Sequence, residues 1–410
     1  MKKLFALLSF LFFLSACATH QSRLSPAQRD LLSGNCANAT KTLDDLSSKD
    51  SDDQLLFLME YGSALQICKD YRKSNEIFLK ADKLSEQLDY ISATRVLGAT
   101  LLNEEMLQYK GDIFERLFIN ISLALNYIEL QQPDEAMVEV RRINEKYNKF
   151  SAEEKSSYEL NSFAQYLSGL IWESDNRYDD ACISYKAAYR LDTSYRTVAL
   201  DMLTACWRAK RYQEFNLLVA EVRPSEDEMI FVKRKNKNEK IVLFLQGLGP
   251  KKMPRPDNHI YPYLVPSNNM IKRLTVNFLD EKDTYQNASS RQVYSVEKAA
   301  IATQEADYSS LAARRLGARV AKEIAADQIR QKDKALGNIA WLVMVASERA
   351  DLRNWTLLPE SIQVIRIIPA KNSKISVVGL NRFDVESEKF QDIDLAENEN
   401  KKFFLIRSIR

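Results

Sequence analysis

Few side chains in this 410-residue sequence come in combinations that do chemistry. Of its five cysteines, Cys17 stands alone at the end of an apolar leader. Cys36, Cys68, Cys182 and Cys206 form an even set open to oxidation. The two histidines, His20 and His259, lie near no Ser or Cys nucleophile motif, and His259 has only Asp257 as a nearby acid. Asp257, Asp280, Glu281 and Asp283 are the carboxylates available for acid–base work on a glycan, which needs a pair at a specific separation. Gly247-Leu248-Gly249-Pro250-Lys251-Lys252 follows a strand in the manner of an anion-cradling loop. Pro250 removes one donor and no Lys-Ser/Thr follows at P-loop spacing, so a structural turn is expected there. No close Cys or His pair suggests a metal site. The expectation is a non-enzyme with no catalytic residue, cofactor or metal.

The elements that must position these groups begin with the leader. Met1-Lys2-Lys3 is a basic start, and residues 4–14 are an apolar run broken by Ser9. A run this short cannot cross ~30 Å of hydrocarbon, so residues 1–16 read as a cleaved signal peptide. Leu14-Ser15-Ala16-Cys17 resembles the lipobox of bacterial lipoproteins. That resemblance implies acylation of Cys17, palmitate included, and Ala18 in place of Asp implies sorting to the outer membrane. Residues 17–25 are expected to be a lipidated cysteine and tether, reaching at most ~28 Å at ~3.5 Å per residue. An ordinary secretory peptide ending in Cys is the alternative.

Composition excludes other classes. Removing Lys2 and Lys3 from 58 basic and 56 acidic residues leaves 56 against 56, too neutral for a nucleic-acid binder. With 45% hydrophobic residues, 28% charged, 10 Gly and 10 Pro, the chain is neither collagenous nor disordered nor a multi-span membrane protein.

Residues 26–223 carry apolar residues at helical spacing. Gly62, Ser74, Phe78 and Ala81 are spaced 12, 4 and 3; Ala124, Ala136, Val140 and Ile143 repeat that spacing, and Gly169, Ala181, Tyr185 and Ala188 repeat it again. Leu65, Tyr127 and Trp172 stand three residues after each leading small residue. The pattern resembles the tetratricopeptide repeat, in which a small residue lets two antiparallel helices approach beside an aromatic. Plain helix-pair packing is the alternative. Ala39, Leu43 and Leu46 look like half of an opening repeat, and RYQEFNLLVAEV like a closing one. The leading residues lie 62 and 45 apart rather than 34, which predicts inserted helices near 90–109 and 152–160. The register puts Cys36 level with Cys68 and Cys182 level with Cys206, so these pairs are expected. Four buried thiols acting as small hydrophobes are the alternative.

Residues 224–410 read as an α+β domain with a mostly antiparallel sheet backed by two long helices. MIFVKR and KIVLFLQG are expected to form a β-hairpin whose basic tip, Lys233 to Lys240, faces solvent or an anionic polymer. Residues 250–266 hold five prolines and read as a long irregular loop, a candidate recognition surface or a cover. KRLTVNF, SRQVYSV, RNWTLLPESIQVIRIIP, KISVVGL and KKFFLIRSI supply strands. Helices are expected over 305–333 and 335–350, the second a buried core helix because 339–346 is wholly apolar. Asp351, Arg353, Trp355, Leu358 and Pro359 form a dense group, expected to brace a turn under a packed Trp.

Lipobox, repeats and the SERADLRNWTLLPESIQV junction together resemble a family of Gram-negative outer-membrane lipoproteins with N-terminal tetratricopeptide-like repeats. The resemblance brings an address and a two-domain plan but no catalytic residues. The concave repeat, the short lipid tether and the lack of a recognisable catalytic constellation predict a scaffold on the periplasmic face of the outer membrane, binding an envelope protein through a concave solenoid face. The rival reading is a protein that binds or processes peptidoglycan or polysaccharide through the second domain.

Overall fold

The computed structural model describes residues 20–95, 108–153, 162–234, 239–346, 348–371, 373–390 and 401–410. Five antiparallel helical hairpins follow one another: α1 (His20–Leu32) with α2 (Cys36–Ser47), α3 (Gln54–Ile67) with α4 (Tyr71–Arg95), α5 (Ile113–Glu129) with α6 (Pro133–Glu153), α7 (Ser162–Ser174) with α8 (Tyr178–Leu191), and α9 (Arg196–Arg208) with α10 (Tyr212–Val222). Each hairpin packs on the next. Cys17 lies outside the described residues. The tether expected before residue 26 is helical from His20, because His20, Leu24 and Ala27 are buried on the face of α1 that meets the array.

The repeat is written in the backbone. Gly34, Lys69, Gln131, Asn176 and Lys210 occupy the same place in their turns, with φ between +57° and +81°. In each hairpin the next N–H reaches back into the first helix: Asn35 donates to Asp30, Asp70 to Leu65, Gln132 to Tyr127, Arg177 to Trp172 and Arg211 to Cys206. This is a Schellman closure made five times. A β-carbon on Gly62 would come within 2.7 Å of the Phe78 ring, and one on Gly169 within 2.5 Å of Tyr185. Ala81, Ala136, Ala181 and Ala188 are fully buried, while Tyr127 and Trp172 pack half-buried against the same core. Cys36 is joined to Cys68 and Cys182 to Cys206, with Cα separations of 5.8 and 4.8 Å, as the antiparallel register demands. Part of the irregular repeat spacing is absorbed by long second helices, 25 residues in α4 and 21 in α6 against 14 in α8. Most of the positions expected for inserted helices lie outside the described residues.

The expected strand MIFVKR is instead helix α11 (Glu226–Lys233), packed on α9. Ser225 starts it: its Oγ accepts from the Glu228 N–H, and the Glu228 carboxylate accepts from the Ser225 N–H. This capping box overrides the strand-like composition. The expected hairpin is therefore absent among the described residues. Lys233 lies over the Trp207 ring, Lys240 donates to the Lys401 carbonyl, and residues 235–238 lie outside the described set.

The sheet expected in the second half is two four-stranded sheets. Strands β10 (Phe403–Ser408), β1 (Lys240–Gln246), β7 (Ser361–Ile367) and β6 (Arg291–Ser295) form one in that order, with β1 and β10 parallel. β5 (Tyr285–Ser289), β4 (Arg273–Leu279), β8 (Ser376–Leu380) and β9 (Glu386–Phe390) form an antiparallel second. Val242, Phe244, Ile365, Phe404 and Ile406 of the first sheet share a core with Leu274, Val276 and Val377 of the second. The alternate residues Ile241, Leu243, Leu245, Ile362, Val364 and Phe403 join the helical core. The first sheet is therefore buried on both faces, which explains the unbroken apolar run of β1. The helical array backs this sheet, a place the sequence reading gave to the two long helices.

The prolines of 250–266 sit in a β-hairpin, β2 (Lys251–Pro254) with β3 (Pro262–Val265), where an irregular loop was expected. Pro254 and Pro262 pair at its turn end, where an absent N–H is tolerated. Helix α12 (Val296–Arg330) starts nine residues before its expected onset, capped by Ser295, whose Oγ accepts from the Lys298 N–H. Helix α13 (Lys334–Ala346) is not a buried core helix: Leu336, Ile339, Leu342 and Val343 are exposed. It packs on the far part of α12, which has left the body of the protein.

Candidate functional site

Helix α3 is apolar along nearly its whole length and buried throughout, yet it carries Glu60 at its centre. A carboxylate in such a place must find donors. Those donors come from residues 351–360, the connection from α13 to β7. The Thr356 N–H and hydroxyl donate to Glu60 at 2.7 and 2.6 Å, and the Leu357 N–H donates at 3.2 Å. The Trp355 N–H donates to Glu115 of α5 at 2.7 Å, and its indole N–H donates to Ser63 at 2.9 Å. The indole packs 5.8 Å from the Phe78 ring. Asn354 donates to the Pro250 carbonyl, and Gln28 of α1 donates to the Thr356 hydroxyl. An extended segment is thus held by side chains from successive helices. This is how a peptide is gripped, but here the peptide belongs to the same chain.

The edges of the segment are braced by ions. Arg353 donates to both oxygens of Asp351 at 2.9 and 2.7 Å and reaches Asp53 at 3.2 Å. The expected Asp–Arg brace under a packed Trp therefore exists, and a helix of the array completes it.

A second cluster lies further along. Arg366 of β7 meets Glu173 of α7 at 2.8 Å, Asp201 of α9 at 2.9 Å and Glu239 at 3.4 Å, all buried. Arg208 joins Glu173 at 2.8 Å, and Tyr185 donates to the same carboxylate at 2.7 Å. Glu129 of α5 accepts from the Leu405 N–H and Lys401, both at the start of β10. Every hairpin from α3 to α10 contributes a first-helix carboxylate to the second half. The first-helix face of the array is thus occupied by the protein's own second half.

Electrostatics divide these carboxylates. Burial pushes Glu60 up to about 7, although its three donors pull the other way. Burial and the nearby Asp112 carboxylate also raise Glu115. Glu173 is equally buried, but the Arg366 guanidinium overcomes the burial and holds it at about 2.

The carboxylates proposed for glycan chemistry do not meet across a cleft. Asp257 pairs with Arg255 in the exposed turn of the β2–β3 hairpin, beside exposed His259. Asp280, Glu281 and Asp283 belong to the β4–β5 turn, where Asp280 accepts from the N–H groups of Lys282 and Thr284. The 247–252 loop is a structural turn. Asn269 accepts from Leu248 N–H and donates to its carbonyl, and Gly249 N–H donates to Leu358, so its donors are already used. Gly247 has φ +69°, and a β-carbon there would strike Asn269. Among the described residues, no group of three His, Cys, Asp or Glu could hold a metal.

An open groove of about 610 Å³ lies beside the proline-rich hairpin, lined by Leu32, Met253, Tyr263, Val265, Met270 and Ile409 among others. Glu60, Ser63, Glu115, Glu173 and Asp201 were not singled out in the sequence. Polar residues on otherwise apolar helices were the available signal.

No family model matches the chain, and no curated protein matches its sequence. Solved structures similar to it include MamA from Desulfovibrio magneticus RS-1, at 16% identity over 49% of this chain and 91% of that one, with a TM-score of 0.33. A Podospora anserina putative kinesin light chain with nearly identical TPR-like repeats matches at 16% identity over 52% and 97%, with a TM-score of 0.34. BtubC from P. vanneervenii matches at 13% over 52% and 80%, with a TM-score of 0.35.

Proposed function

We propose that this protein is a non-enzymatic scaffold of the Gram-negative envelope, held to the periplasmic face of the outer membrane by acylation of Cys17 and docking a protein partner. One observation carries the reading: the helical array grips residues 351–360 and the sandwich through Glu60, Glu115, Glu129, Glu173 and Asp201, fusing both halves into one core. Buried carboxylates committed to such bonds build a rigid platform and are not themselves free for acid–base work. The partner then meets an outer surface, and the groove at Met253 and Met270 offers apolar area beside polar backbone.

Photo-crosslinking residues placed at Met253 and Met270 test this in cells, with the exposed Ile183 of α8 as the control. A defined envelope protein captured from the groove and not from Ile183 supports the reading. Binding of the purified protein to peptidoglycan or polysaccharide, with no protein adduct, overturns it in favour of the glycan reading. Palmitate labelling tests the anchor separately: label should disappear in Cys17→Ala, and label that persists there removes Cys17 as the acyl site.

A further inference from the structure

The hairpin of α12 and α13 is built inside out. Lys322 is only 4% exposed and donates to the Met344 carbonyl and to Glu348, while Arg315 donates to the Arg349 carbonyl. Two long charged side chains thus lie between the helices together with buried Ala326, while several large apolar ones lie outside. Leu316, Val320 and Ile324 recur every fourth residue along α12 at 66, 54 and 56% exposure. Ile339, Leu342 and Val343 of α13 are 57, 59 and 52% exposed. A surface this apolar marks an interaction site.

We propose that this hairpin lies on an anionic lipid bilayer, its apolar face in the headgroup boundary. Charge, length and position each select that occupant. Residues 311–346 hold seven Lys and Arg against three Asp and Glu; with Arg315 and Lys322 set aside between the helices, five against three remain, a net of +2. A cationic helix pair with an apolar face is the pattern of an interfacial membrane element. The 13 residues of α13 extend only about 20 Å, and no described helix is long and apolar enough to cross a membrane, so the hairpin rests on the bilayer. The base of the hairpin also adjoins the N-terminal end of the body. His20 sits beside Leu352, Asp351 and Arg353, three residues past the Arg349 that Arg315 binds. Cys17 precedes His20 by three residues, at most ~11 Å of chain. The orientation rests on the acyl anchor proposed above; the affinity of the hairpin for lipid does not.

The test therefore uses the chain from Ala18 to Arg410 prepared without acyl groups, and phosphatidylethanolamine vesicles with or without phosphatidylglycerol. Flotation should be about ten-fold greater with the anionic vesicles and fall as salt rises. The triple variant Leu316→Ser, Ile339→Ser, Leu342→Ser should lose about ten-fold in flotation while keeping its circular dichroism, since these side chains are exposed. Flotation that the variant retains, or none with either vesicle, overturns the proposal. So does a dimer in sedimentation that the variant dissolves, because a second copy then covers the face. Palmitate labelling at Cys17 is a separate readout, so neither failure is mistaken for the other.

Discussion

Glu60 and Thr356 lie 296 residues apart in the chain, yet one carboxylate oxygen of Glu60 accepts from both the N–H and the hydroxyl of Thr356, with no water between them. That contact locks the connection after the exposed helical hairpin into the first-helix face of the array. It makes the solenoid a clamp on its own chain and leaves outer surfaces to meet partners.

The clamp is tied to pH. Glu60 is raised in the folded state from 4.5 to about 7, so folding favours its protonated form. Its stabilisation is complete below pH 4.5 and is lost as pH rises through about 7, by up to about 3 kcal/mol. Glu173, lowered to about 2, acts in the opposite sense: its contribution is present above pH 4.5 and lost as pH falls towards 2. Thermal unfolding should therefore peak near pH 5, and Glu60→Gln should flatten the limb between pH 5 and 7.5. An unchanged slope in Glu60→Gln refutes the assignment.

Arg366→Met leaves Glu173, Asp201 and Glu239 buried with their main counter-charge gone. The expected loss is about 3–5 kcal/mol in urea unfolding. A loss below about 1 kcal/mol would show that the remaining cations, Arg208, Arg234 and Lys402, can neutralise the cluster.

Gly169→Ala drives a β-carbon to within 2.5 Å of the Tyr185 ring. Overpacking of this kind costs about 1–3 kcal/mol. Gly317→Ala, with nothing within 4 Å, is the matched control and should be neutral or slightly stabilising. Equal effects at the two positions would mean that helix propensity, not contact, governs both.

Cys182→Ser with Cys206→Ser removes the closure of a 24-residue separation and should cost about 3–4 kcal/mol. Mass spectrometry after alkylation under non-reducing denaturation should find Cys36, Cys68, Cys182 and Cys206 unmodified in the wild type. Alkylated thiols at these positions contradict the pairing.

Local periodicity made the helical half legible. The small residues at Gly62, Ala124 and Gly169 mark where helices touch, and antiparallel register places Cys36 beside Cys68 without any knowledge of the rest of the chain. The strands KIVLFLQ and FFLIRS were legible for the same reason, because alternation and apolar runs act over a few residues.

Sequence alone could not decide what the first-helix face of the array holds. The second-half partners of Glu60, Glu115 and Glu173 lie 193 to 297 residues away, and a hydrogen bond across that distance leaves no pattern in either stretch. The fate of α13 was equally hidden. An apolar run reads the same whether it is covered or bare, and only the departure of α12 from the body exposes Ile339 and Leu342. Helix α11 lay between the two cases: the Ser225 and Glu228 capping box was in the sequence, but the β-rich letters after it pointed elsewhere until packing on α9 decided. What depends on neighbours in sequence was fixed by the sequence. What depends on neighbours in space needed the tertiary structure, because burial, and with it charge state and exposure, belongs to the fold.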